Sequence, residues 1–369
     1  MATNPLVRLG ELGQSPWYDF ITRDLIASGE LARLIREDGL RGLTSNPTIF
    51  EKAVASSSSY DDDIRRLAEA GRTPAEIFEA IAVDDVRAAC AAFHGAWEAA
   101  GGADGLVSIE VSPELAHDAE ATVAEAERLC AAIGRPNVMI KIPGTLAGLR
   151  AIERCTGDGL NVNVTLLFEV ARYEEVIEAF MRGLERRAEE GHPLDHVASV
   201  ASFFVSRVDG KVDAFLERKG GRPALLHQAA VANAAMAYAA FERAFRSPRW
   251  ARLAGRGAKP QRPLWASTST KDPRLPDTFY VEALVAPNTV NTLPPDTFAA
   301  YRDHGRPELR IPQAIAAAPG QLAALAEAGV DLDRVTRELE QDGVEKFAAS
   351  YRSLLAGIEA KSGALVGGR

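Results

Sequence analysis

Short apolar or β-branched runs recur along this chain, and each is followed by a longer segment whose apolar residues fall three and four positions apart. Strands and helices that take turns in this way build a parallel sheet. The candidate strands are PWYDF from Pro16, GLTSN from Gly42, GLVSIEVS from Gly105, NVMIKIPG from Asn137, LNVNVTLLF from Leu160, VASVASFFVS from Val197, PLWASTST from Pro263 and TFYVEALVAP from Thr278. About eight such units is the number that closes a (β/α)8 barrel.

The intervening segments carry helix punctuation. Ser112, Pro113 and Glu114 read as an N-cap, a first-turn proline and an acid that suits the helix dipole, and Gly134 closes that helix. Val170, Tyr173, Val176, Ile177, Phe180, Met181 and Leu184 keep an apolar stripe at helical period, suited to the outside of a barrel. The SSSSYDDD stretch at 56–63 reads as a loop entering a helix, with Asp61 to Asp63 in its first turn and no nearby residues to complete a metal site. From Pro294 the chain reads helical almost to its end. Its amphipathic tail, AGVDLDRVTRELEQDGVEKFAASYRSLLAGI, must lie against something apolar.

Composition narrows the partners. With 42 Lys+Arg against 51 Asp+Glu the formal net charge is −9, which offers no footprint for a nucleic acid; a phosphate must be recognised locally. Three cysteines, an odd and scattered number, form neither a disulfide framework nor a metal motif and fit a reducing compartment. The N-terminus lacks a signal-peptide pattern and no segment approaches the roughly 18 apolar residues of a membrane span, so the expectation is a cytoplasmic protein away from membranes. Neither GxGxxG after a strand nor a P-loop is present. His192 and His196 have the spacing of a zinc pair, but Gly191 and Pro193 surround them and a third ligand is lacking, so no metal is expected.

Strand alternation then sorts the polar residues. In VMIKI, Lys141 shares a face with Met139, opposite Val138, Ile140 and Ile142; outward residues of a barrel strand must be apolar, so Lys141 points inward. Burial strips water from an ammonium and favours the neutral amine, the form that attacks a carbonyl. A lysine paired structurally with an internal carboxylate fits the local pattern equally well. On the neighbouring strands Asn161, Asn163 and Thr165 share one face, and so do Ser108, Glu110 and Ser112. Buried acids and amides need partners, and several near the C-terminal mouth of a barrel read as a site.

The stretches GLTSNPTIF, SIEVSP, NVMIKIPGT, NVNVTLLF and SFFVSRVD, in this order, with the tail DGVEKFAASYRSLL, resemble the transaldolases over nearly the whole chain. The resemblance implies one TIM-barrel domain over 1–369, with additional helices and a long C-terminal helix. It also implies a cofactor-free enzyme acting on sugar phosphates in the pentose phosphate pathway. It makes Lys141 the Schiff-base lysine and Asp19 the acid/base carboxylate, although Asp19 could instead cap the helix of ITRDLI. Glu110 becomes the carboxylate that moves protons through a water held by Thr165. Asn46 and Asn163 become amides that hold donor hydroxyls, with satisfaction of buried neighbours as their structural alternative.

Arg207 is the implied phosphate ligand, Ser202 lines the same pocket, and Ser267 contacts the phosphate. The residues after Ser202 depart from the proline-containing form of many relatives, and Lys271 stands in for a second arginine as a point charge. An aldolase of the same superfamily and a non-catalytic sugar-phosphate-binding barrel are the alternatives. The tail helix could cover its own barrel or a partner's, so both monomer and homodimer stay open.

Overall fold

A computed structural model describes residues 4–220 and 222–367. Eight strands, β1 (Gln14–Tyr18), β2 (Gly42–Leu43), β3 (Leu106–Glu110), β4 (Val138–Pro143), β5 (Val162–Leu167), β6 (Ser199–Phe204), β7 (Arg262–Ala266) and β8 (Thr289–Leu293), form a closed barrel in sequence order. Each strand pairs in parallel with the next and β8 pairs with β1, so the architecture is the (β/α)8 TIM barrel with extra helices that the pattern predicts. The register sets Glu110 beside Lys141 and Lys141 beside Asn163 on three adjacent strands. Chain stretches far apart in sequence thus meet at one level of the barrel.

Seven of the expected strands lie where the alternation puts them. The eighth does not: TFYVEALVAP folds as the helix Phe279–Ala283 and its exit, and the strand is Thr289–Leu293. A short apolar run is consistent with a buried strand or a buried helix, and periodicity alone does not separate them. Asn288, at a φ of 56°, supplies the turn into β8 in a conformation that asparagine tolerates. A second difference lies after β3, where Ser112 caps only a three-residue turn, Pro113–Leu115. The long helix Ala119–Ile133 is capped instead by Asp118, and Gly134 ends it in the left-handed conformation as expected.

The other helical expectations hold. Asp61 to Asp63 open the helix Asp61–Glu69, and in Val170–Glu189 the residues Tyr173, Val176, Ile177, Phe180, Met181 and Leu184 are buried. The tail is one helix, Leu332–Gly367, packed against the helices Pro47–Ser56, Asp61–Glu69 and Pro74–Ala99. No helix of the described residues is long and apolar enough to cross a membrane, and Cys90, Cys130 and Cys155 are free thiols.

At the N-terminal ends of the strands, opposite the mouth, Asp104 gathers three donors from β1 and β7. It accepts from Ser15, from Trp17 Nε1 at 2.9 Å and from Arg262 Nη2 at 3.1 Å, while Arg262 also donates to Ala103 O at 2.7 Å. Gly42 lies under the Trp17 indole, where an added Cβ would sit 2.4 Å from a ring carbon. Only glycine lets β2 and the indole approach so closely. These contacts brace β1, β2 and β7. Removing one partner of a largely buried ion pair strands the other, so Asp104→Ala is expected to lower unfolding free energy by about 3 to 5 kcal/mol in a urea titration. A change below about 1 kcal/mol would contradict this role.

Candidate active site

The C-terminal ends of the strands surround a cavity of about 190 Å³ lined by Asp19, Asn46, Lys141, Thr165, Ser202, Arg207, Ser267 and Lys271, together with Thr44 and Phe347. Eight of the ten residues singled out in the sequence therefore share one chamber. Lys141 is only 4% exposed, at the centre of β4. Its Nζ donates to Ser45 O at 3.2 Å and lies 3.7 Å from Glu110 Oε2. Neither Glu110 oxygen has a hydrogen-bond partner among the described residues, and burial with the neighbouring Asp19 charge raises the carboxyl to about 7, against the opposing pull of Lys141. The pairing of Lys141 with an internal carboxylate is thus real, and it coexists with access to the cavity.

Asp19 follows β1 directly. Thr44 donates to its Oδ1 at 2.7 Å and also bonds Thr292 at 2.7 Å. Burial pushes the Asp19 carboxyl above its ordinary range, while Lys141 and the Thr44 bond draw it back. It does not cap the following helix: Arg23–Ala27 is capped by Thr22, whose hydroxyl accepts from Leu25 N at 3.1 Å. Thr165, fully buried on β5, has a hydroxyl with no hydrogen-bond partner, as a group awaiting a water or a substrate oxygen would.

Glu110 and Asn163 stand outside the chamber lining. Glu110 lines a second cavity, of about 440 Å³, with Ser45, Asn46, Ser112 and Tyr351. Asn163 is fully buried, donating to Ser108 Oγ at 3.0 Å and accepting from Ser202 at 2.7 Å. Its structural alternative, satisfying buried neighbours, is the arrangement observed here. Asn46 does both jobs: its Oδ1 accepts from Ile49 N at 3.1 Å and so caps Pro47–Ser56, while its amide nitrogen has no partner among the described residues.

Two cations reach the rim. Arg207, at the start of helix Ser206–Arg218, has its guanidinium 5.3 Å from the centre of the Phe204 ring and no carboxylate within 4 Å among the described residues. Burial disfavours its charge, with Asp342 as the compensating acid further off. Lys271 donates to Ser269 Oγ at 2.9 Å and makes no ion pair among the described residues. Ser267 bonds Ser206 at 3.0 Å. The loop carrying Lys271 is tied down by Asp272, 3.5 Å from His227, whose other ring nitrogen lies 2.9 Å from Asp213 on the Arg207 helix.

Sequence reasoning missed three contributors: Thr44, which holds Asp19; Ser269, which meets Lys271; and Phe347, whose ring centre lies 5.6 Å from Lys141 Nζ. Thr44 was within reach, since it sits in the TSNP turn beside Asn46. Phe347 was not, because its helix reads only as an apolar stripe.

Comparison with known proteins now bears on this geometry. Residues 16–358 match the family model Transaldolase/Fructose-6-phosphate aldolase. The chain belongs to that family. It is 53% identical over 359 residues to Transaldolase from Acidothermus cellulolyticus, covering 96% of each chain, and 50% identical over 370 residues to Transaldolase from Frankia alni, covering 98% of each. Transaldolase 1 of Streptomyces coelicolor is 48% identical, over 96% of this chain and 93% of its own. The chain is thus an enzyme of the transaldolase family, with the family's match running from within β1 through β8.

The Glu110 environment has a thermodynamic consequence. The folded state keeps this proton until about pH 7, whereas an unfolded glutamate releases it near 4.5, so the group's contribution to stability is full below 4.5 and lost as pH rises through 7. Glu110→Gln is expected to remove a component of roughly 3 kcal/mol from the fall in stability between those pH values, measured by denaturant titration at several pH values. An identical pH dependence in the variant would refute the burial argument.

Proposed function

We propose that this enzyme transfers a dihydroxyacetone unit from sedoheptulose 7-phosphate or fructose 6-phosphate to glyceraldehyde 3-phosphate or erythrose 4-phosphate, in the non-oxidative pentose phosphate pathway of the cytoplasm. The observation that carries the reading is one chamber with a buried lysine at its base and two cations without carboxylate partners at its rim. A ketose phosphate has the matching polarity, with a carbonyl at one end and a dianion at the other.

In this reading the Lys141 amine attacks C2 of the ketose and forms a carbinolamine. Glu110, protonated below about pH 7, gives a proton to the departing hydroxyl through a water held by Thr165, leaving the iminium. The Asp19 carboxylate takes the proton of the C4 hydroxyl, the C3–C4 bond breaks, and its electron pair flows into the iminium to give an enamine. The shortened aldose phosphate leaves. An incoming aldose phosphate is attacked at its aldehyde carbon by the enamine C3, Asp19 returns its proton to the new hydroxyl, and hydrolysis of the imine frees the product. The electron-sink role of the imine does here what a metal does in other aldolases. Arg207 takes the phosphate as a fork, with Lys271 as a point charge and Ser267 alongside. Asn46 and Asn163 orient donor hydroxyls, the latter after exchanging its bonds to Ser108 and Ser202.

The family description also names an aldolase, and acceptor dependence separates the two activities. Purified protein should consume fructose 6-phosphate only when erythrose 4-phosphate is present, forming sedoheptulose 7-phosphate. Consumption without acceptor and accumulation of free dihydroxyacetone would make it an aldolase, and no turnover in either condition would leave a binding protein. Lys141→Ala should abolish the borohydride-trapped adduct seen by mass spectrometry. Asp19→Ala should keep the adduct yet cleave about 10² to 10⁴-fold more slowly. Cleavage at the wild-type rate would remove Asp19 from the proton transfer.

A further inference from the structure

The chamber has a roof that no strand supplies. Phe347, 6% exposed, is the aromatic residue among those that line both the inner cavity beside Lys141 and a wider vestibule of about 690 Å³. The ring is placed by how closely its helix can approach the barrel. Gly343 sits over Leu166 at the end of β5, where an added Cβ would be 2.9 Å from Leu166 Cδ2. Leu166 itself is held at a φ of 60°, within the irregular register between Val164 and Leu167. Residues four apart share a helix face, so Gly343 in contact with the barrel brings Phe347 over the same opening.

The helix is fastened on both sides of that opening. Lys211 reaches Glu338 at 2.9 Å and Asp342 at 3.3 Å from the Arg207 helix. On the Asn46 side Thr48 donates to Ser350 at 2.9 Å, and Lys361 donates to Val54 O and Ser57 O at 2.9 and 2.8 Å. The tail therefore spans the two helices whose N-terminal ends carry Asn46 and Arg207 to the chamber.

We infer that Phe347 sets the enzyme's preference for transfer over release of free dihydroxyacetone by keeping water, the proton source, from C3 of the Lys141 enamine while the chamber waits for an acceptor. This rests on the Schiff-base reading above. The enamine has two fates. An aldehyde carbon can bond to C3, or C3 can take a proton and the resulting imine can add water, which breaks the C–N bond and releases dihydroxyacetone with the free amine. Both routes end in hydrolysis of an imine, but only the second needs a proton delivered to C3 before an acceptor arrives, and an apolar ring near Nζ neither donates a proton nor holds a water that could. The ring face also suits the cationic iminium that precedes the enamine.

The test compares two rates with purified full-length protein: dihydroxyacetone release from fructose 6-phosphate alone, and transfer to erythrose 4-phosphate. Phe347→Ala should raise the release-to-transfer ratio by about tenfold or more, while the borohydride-trapped adduct on Lys141 persists. Phe347→Leu keeps an apolar roof and should hold the ratio within about twofold of wild type. A merely structural role would lower both rates together and leave the ratio unmoved, and that result with the adduct intact overturns the inference. Should the alanine variant fail to fold, Phe347→Gln decides the matter, since it retains bulk but brings an amide that binds water and should raise the ratio likewise. Absence of any trapped adduct in wild type would overturn the Schiff-base reading, and this inference with it.

Discussion

The rest of the structure depends on keeping an amine and two carboxylates out of water within one barrel. The Lys141 and Glu110 side chains are buried together, with 3.7 Å between the amine nitrogen and the nearest Glu110 oxygen, and Asp19 stands half-buried on the same chamber. An isolated charge at such depth costs several kcal/mol, and the two carboxyls are tolerated because the Lys141 amine offsets both. Burial raises both carboxyls, while the amine pulls both down. The protons therefore belong to the group rather than to any single side chain. A carboxyl raised to about 7, as Glu110 is, is suited to passing protons in both directions, which reversible aldol chemistry requires.

Holding that set in place demands rigidity from below and closure from above. The barrel meets the first demand at the opposite end, where Asp104 binds Ser15, Trp17 and Arg262 and couples β1 to β7 across the ring. It meets the second through a helix that begins 191 residues after Lys141 and returns over the mouth. A parallel barrel opens all its strand ends on one face, so residues from β1, β4, β5 and β6 and from the loops after β2 and β7 meet without long excursions. The same geometry leaves that face open to water. The tail helix answers this, with Gly343 as the point of closest approach.

Much of this was legible in the residues because strand alternation is a strict physical constraint. In VMIKI and LNVNVTLLF the outward residues had to be apolar to meet the helices, which left Lys141, Asn163 and Thr165 only the inside. The eighth strand was illegible by the same rule, since TFYVEALVAP is mostly apolar with no clean alternation and Thr289–Leu293 is short. Periodicity also says nothing of partners. It could place Asn163 inside, but not show that Ser108 and Ser202 occupy both ends of its amide. It could predict an amphipathic tail, but which residue of that tail lies over Lys141 follows from a glycine contact between segments far apart in the chain.

The charge balance explains why the rim cations are left without carboxylates. A chain with a net charge of −9 does not attract a sugar phosphate from a distance, so recognition has to come from short-range contacts. Most of the arginines on this protein's surface already sit in ion pairs, and such pairs have little left to offer a ligand. Arg207 is different: burial disfavours its charge, and only Asp342 at longer range compensates it. A phosphate entering the chamber supplies the missing counter-charge and recovers part of that cost. In the proposed reaction this places the strongest binding interaction at the end of the substrate remote from the bonds being made and broken. Binding energy at the phosphate can then be used to seat the carbonyl carbon against Lys141 beneath the Phe347 ring, instead of merely tightening the ground state.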